Sequence, residues 1–195
     1  MRYNAGLTEH PEHAAFIAKI VSQWSAIEDA YTRLFSYFMG VNFFSATQLF
    51  ATLASSRAKL QLLDNAGRYF FEGDAEGLAA FAELYSLLNG RLRDRNKYAH
   101  AVYAVTESGE LAIIRRDREL SQPSKAVETI ALADLETAWS DSAFTFDTTL
   151  RFIITLHSKL SDEFLKALHV VWLNQGGAVR NGVRPPNEDE TNPKE

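Results

Sequence analysis

Between Arg93 and Tyr103 the chain reads RDRNKYAHAVY, which sets Arg95, Asn96 and His100 close together in an otherwise acidic protein. Histidine is the side chain that titrates nearest neutral pH, so His100 can take or give a proton. The planar guanidinium of Arg95 suits bidentate contact with an oxyanion. On a helix, Asn96 and His100 lie one turn apart and share a face. Arg95 is rotated from His100 by about 140°, at about 100° per residue. A long guanidinium can still reach around, most easily where a last turn loosens. Arg91 stands one turn before Arg95, and Arg93 and Lys97 add positive charge nearby. Helix electrostatics alone accounts for such cations, because Arg, Lys and His complement the unsatisfied carbonyls of a helix C-terminus. That rule does not demand Arg directly followed by Asn, with His four residues after the Asn.

The elements that must position these residues are mostly helical. From Glu12 to Phe38 the apolar positions Ile17, Ile20, Val21, Trp24, Ile27, Tyr31, Leu34, Phe35 and Phe38 step by three and four, the pattern of a long amphipathic helix. Gly40 is its end signal. A second helix is predicted from Ser45 to about Phe71, with Leu49, Phe50, Leu53, Leu60, Leu63 and Phe70 inward. Glu72-Gly73-Asp74 interrupts it, and Asp74 is placed to cap a third helix. That helix runs through Phe81, Leu84, Tyr85, Leu88 and Leu92 into the Arg95 segment. Beyond His100 the pattern changes: AVYAV and LAIIRR read as short strands joined around Ser108-Gly109, and VETIAL as a third strand. Gln122-Pro123-Ser124 marks a loop. The helical period returns at about Ala133 and continues to Trp172.

The fold class expected is therefore mainly α: an up-and-down helical bundle with a small β-hairpin insertion, at about 102–131, before the last long helix. A flexible N-terminus is expected over 1–11, one helical domain over 12–173 and a mobile tail over 174–195. At 195 residues the chain can bury a substantial core without staples. It contains no cysteine, which excludes disulfides, thiolate metal sites and cysteine nucleophiles and permits a cytoplasmic home. The N-terminal residues lack the apolar core of a signal peptide, and no apolar run is long enough to cross a bilayer, so no membrane partner is expected. A formal charge of -5 argues against coating nucleic acid through bulk electrostatics, but not against gripping one or two phosphates locally.

Arg95-Asn96-Lys97-Tyr98-Ala99-His100 resembles the RNxxxH form of the R-x4–6-H motif of the HEPN superfamily, whose motif sits late in a long helix of a helical bundle. Many relatives have Gly after the His, where Ala101 stands here. Some toxin members carry Tyr two residues after it, whereas here Tyr103 is three residues on. The resemblance implies a metal-independent endoribonuclease without cofactor, cleaving single-stranded RNA as a toxin or defence effector. It also implies a homodimer in which Arg95 and His100 of both chains line one groove, with an antitoxin or regulatory protein as a further partner. The chemistry fits these residue types. RNA carries its own nucleophile, the 2′-hydroxyl, so the protein need only move protons with His100 and stabilise the phosphate with Arg95. Asn96 could orient the histidine or the substrate. The rival reading is a non-catalytic HEPN-like domain that dimerises or binds a partner or nucleotide.

Further substrate-binding candidates are Arg91, Lys97, Tyr103, Arg57 and Glu28. Glu28, in the middle of the first helix, is a candidate ion-pair partner for Arg95, and Arg57 a further charge for the groove. A solvated helix-face charge is the commoner use of each. Tyr98 and Tyr103 could stack on a base, although packing is the more frequent use of a tyrosine ring. His10 and His13 flank Glu12 but lack the further ligands that a metal site needs, so no metal is expected. His157 and His169 read as packing or surface residues. Arg115-Arg116-Asp117-Arg118 reads as a solvated loop run that could help hold RNA. No phosphate-binding glycine loop, GxSxG or HExxH is present.

Overall fold

The computed structural model describes residues 2–3, 6–114 and 127–159. The Arg115–Arg118 run, the Gln122–Ser124 loop, His169, the continuation of the last helix to Trp172 and the expected tail over 174–195 lie outside the described residues. The elements in chain order are β1 (Arg2–Tyr3), α1 (Gly6–Glu9), α2 (Pro11–Phe38), α3 (Phe43–Ala51), α4 (Ser56–Phe70), α5 (Ala75–Ala99), β2 (Val102–Val105), β3 (Leu111–Ile114), β4 (Val127–Thr129) and α6 (Leu132–Lys159). Two compact units divide the chain, Met1–Ile154 and Thr155–Glu195. That boundary falls inside the single domain expected over 12–173. In the second unit the described residues form the end of α6, where Ser158 Oγ donates to the Thr155 carbonyl at 2.9 Å.

The first unit is mainly α, as the periodicity indicated. Helix α2 buries Ile17, Ile20, Trp24, Ile27, Tyr31, Leu34, Phe35 and Phe38 along one stripe. It opens with Pro11, whose missing N–H costs nothing at that position. Asp74 caps α5 as expected, its carboxylate accepting the Gly77 N–H at 2.9 Å. Gly73 reverses the chain just before it, at a φ of 86° that favours glycine.

Ring pairings give the helix directions. Near one end, Phe38 of α2 meets Phe81 of α5 at 5.3 Å and Phe70 of α4 at 5.0 Å between centroids. Phe152 of α6 lies 6.4 Å from Phe81. The opposite end gathers Ile17 and Ile20 of α2, Tyr98 of α5, Leu135 and Ala138 of α6, and Leu111 and Ile113 of β3 in one buried cluster. Helices α2, α4 and α6 therefore run one way and α5 the other.

Two elements differ from the sequence expectation. The helix expected over Ser45–Phe71 is two helices, α3 and α4, broken at Thr52–Ser55. Ser55 is the N-cap of α4, its Oγ accepting the Ala58 N–H at 3.2 Å. The break lets the chain turn back, so that Phe50 of α3 reaches Phe35 at 4.8 Å while α4 packs separately against α2 and α5. The N-terminal lead-in, expected to be flexible, contributes β1 and α1. Arg2 pairs with Val105 and Tyr3 with Ala104, making a four-stranded antiparallel sheet of order β1-β2-β3-β4. The predicted hairpin is present as β2 and β3, with Tyr103 opposite Ile113, and its turn uses Gly109 at a φ of 86°.

Candidate active site

Helix α5 delivers the candidate residues to the end of the bundle that carries the sheet. The helix ends at Ala99, and His100 leaves helical geometry at φ -113° and ψ 8°. A single residue, Ala101, then separates it from β2. This departure brings the histidine within reach of Arg95. Arg95 Nη1 lies 2.8 Å from His100 Nε2, and the same nitrogen donates to Asn96 Oδ1 at 2.9 Å. Arg95 is half-buried, whereas Asn96 and His100 are exposed. A guanidinium can only donate, so His100 Nε2 must accept. The contact therefore belongs to neutral imidazole with its proton on Nδ1.

Two neighbouring basic residues, Arg91 and Lys97, are committed elsewhere. Arg91 Nη1 forms ion pairs with Asp141 Oδ2 of α6 at 2.7 Å and with Asp94 Oδ2 at 3.4 Å. It thus ties α5 to α6 and does not carry an unbalanced charge toward a ligand. Asp94 is half-buried, and desolvation raises its carboxyl above the usual range despite the opposing Arg91 charge. Lys97 Nζ donates to Glu128 Oε1 of β4 at 2.7 Å, tying α5 to the sheet. Burial pulls the Lys97 ammonium down. The Glu128 hydrogen bond, with the nearby charges, outweighs it and leaves the group above its ordinary value.

Tyr103 is not presented for stacking on a base. Its ring packs against the core cluster, and its hydroxyl donates to the Tyr98 carbonyl at 2.5 Å. Desolvation, with a smaller contribution from Tyr98, pushes its phenol well above the ordinary value, so it stays a donor. Tyr98 itself is buried. Glu28 does not pair with Arg95: it forms an ion pair with Lys59 of α4, beside a depression of about 250 Å³ between α2, α3 and α4 that Phe43 and Phe50 also line. Arg57 stands exposed in the first turn of α4, on a different helix from the motif.

The structure thus brings Arg95, Asn96 and His100 together, gives Arg91, Lys97, Tyr103 and Glu28 other partners, and leaves Arg57 exposed on α4. Sequence reasoning missed the acidic partners. Asp94 was legible at three residues from Arg91, but Asp141 and Glu128 come from distant elements with no local signal. Among the described residues no three His, Asp or Glu side chains gather as a metal would require, and no helix is long and apolar enough to cross a membrane. His10 and His13 meet edge to face at 5.2 Å. In comparisons with known proteins, no family model, no curated protein and no solved structure matches this chain.

Proposed function

We propose that the protein is a metal-independent endoribonuclease of HEPN type, acting on single-stranded RNA in the cytoplasm as a homodimer. The observation that carries this reading is the 2.8 Å approach of the Arg95 guanidinium to an exposed His100 imidazole. An oxyanion binder and a proton carrier thereby share one surface point. A phosphate docking on Arg95 competes with the His100 contact and frees the Nε2 lone pair to act as a base.

In the proposed reaction His100 takes the 2′-hydroxyl proton as the 2′-oxygen bonds to phosphorus. The bond from phosphorus to the 5′-oxygen breaks, and a second imidazole, in its protonated form, gives that oxygen its proton. The products are a 2′,3′-cyclic phosphate and a 5′-hydroxyl. One motif supplies one imidazole, and the need for both a base and an acid is the chemical argument for a second copy. Arg95 stabilises the charge that builds on the phosphate oxygens. A role as a toxin or stress effector held in check by an antitoxin belongs to the same proposal.

The test is to incubate the purified protein with single-stranded RNA in EDTA. The wild type should yield cyclic-phosphate ends, and His100→Ala should lose the activity; equal cleavage by both removes the assignment. A second reading, a non-catalytic HEPN-like domain that dimerises or binds a partner or nucleotide, is favoured by the fact that Asn96 and His100 already engage Arg95. Retained RNA or nucleotide binding without cleavage by the wild type would support that alternative.

A further inference from the structure

The last four carbonyls of a helix have no partner within it, and the end of α5 is the end that carries His100. Many helices close this gap with a left-handed glycine. Here the residue after the helix is His100 itself, at φ -113°, followed within two residues by a strand. A side chain from that strand does the closing. Tyr103 of β2 donates its hydroxyl to the carbonyl of Tyr98, two residues before His100, at 2.5 Å. The Tyr98 ring, on the same residue, is sunk in the cluster formed by Ile17, Ile20, Leu111, Ile113, Ile130 and Leu135.

We propose that Tyr103 is a positioning residue for His100: its phenol clamps the last turn of α5 onto β2 and so sets where the imidazole stands relative to Arg95. This assignment rests on the ribonuclease reading for its effect on catalysis, and on geometry alone for its effect on the histidine. Two features make the clamp specific. Tyr103 sits opposite Ile113 in the ladder, so the sheet fixes its backbone. Its ring packs against the core cluster, so the hydroxyl has little freedom to leave the carbonyl. A tyrosine phenol is protonated across the neutral range in any case, and burial raises its pKa further. Without the hydroxyl, the last turn keeps its buried Tyr98 ring and its Lys97–Glu128 pair, so the helix persists while His100 gains latitude.

Tyr103→Phe removes only the donor, and Ile113→Val thins the same core while keeping the phenol–carbonyl bond. Both variants would be compared with wild type by thermal melting, by kcat and KM on a single-stranded RNA oligonucleotide in EDTA, and by the ring signals of His100 in histidine-labelled protein. The His100 signals are assigned by their loss in His100→Gln. Tyr103→Phe should lower kcat about tenfold with KM nearly unchanged, as expected for a displaced proton carrier, and should move the His100 ring signals. Ile113→Val should lower the melting temperature yet leave both readouts in place. Wild-type kcat and ring signals in Tyr103→Phe would overturn the proposal, as would an equal loss of kcat in Ile113→Val. If the wild type cleaves no RNA, the ribonuclease reading fails and the ring signals alone decide the positioning claim. Movement in Tyr103→Phe only supports it, and no movement overturns it.

Discussion

A single nitrogen of Arg95, Nη1, serves both Asn96 Oδ1 at 2.9 Å and His100 Nε2 at 2.8 Å. Because guanidinium has no lone pair to offer, this shared donor also selects the tautomer of the histidine. Nitrogen-15 spectra of the free protein should show His100 with its proton on Nδ1 and an unprotonated Nε2.

Replacing Arg95 by Lys keeps the charge and loses the fork. A lysine ammonium on a flexible stem cannot offer a phosphate two parallel N–H donors in one plane. Arg95→Lys should therefore lower kcat/KM on RNA by about a hundredfold. Wild-type cleavage by the lysine variant would show that charge alone suffices.

The pair formed by Lys97 and Glu128 gives the junction of α5 and the sheet a pH signature. The folded state holds the Lys97 ammonium above its ordinary value, so its stabilisation is complete below the usual lysine range. It is lost as pH climbs through the raised value. Partial exposure limits the effect, and Lys97→Met should cost about 0.5–1 kcal/mol at neutral pH. In urea melts taken from neutral pH upward, the gap between the two proteins should close above about pH 10.

Asp94 runs the opposite way from a well-paired carboxylate. Desolvation raises its pKa in the fold, so its contribution is most favourable when protonated and is lost as pH rises through the raised value. At neutral pH the charged group costs stability. Asp94→Asn should raise Tm by about 1–2 °C at pH 7, and the gain should disappear in acid. Asp141→Asn should lower Tm, because it removes the 2.7 Å partner of Arg91.

Gly67 on α4 is a contact point against α5. A Cβ there would stand 2.3 Å from Phe81 Cε1, and the Phe81 ring is fully buried. Alanine is the better helix former, yet Gly67→Ala should destabilise by about 1–3 kcal/mol through overpacking. Equilibrium denaturation measures it directly, and a stabilised variant would mean that the ring moves aside.

Local pattern accounts for much of what was legible. Apolar residues stepping by three and four located α2, α5 and the start of α6, and Asp74 and Ser108-Gly109 marked a cap and a turn, because these signals act between near neighbours. The same rule failed between Leu53 and Leu60, where apolar spacing runs on across the α3–α4 break. The Ser55 hydroxyl that caps α4 was the overlooked local sign. For the candidate site, the sequence by itself determined that Arg95, Asn96 and His100 lie within one turn or so of each other at a helix end. Only the tertiary structure decided that Arg91 belongs to Asp141, Lys97 to Glu128, Glu28 to Lys59 and the Tyr103 hydroxyl to the Tyr98 carbonyl. A charge or a hydroxyl carries no local record of its partner when packing of separate helices and strands brings the two together.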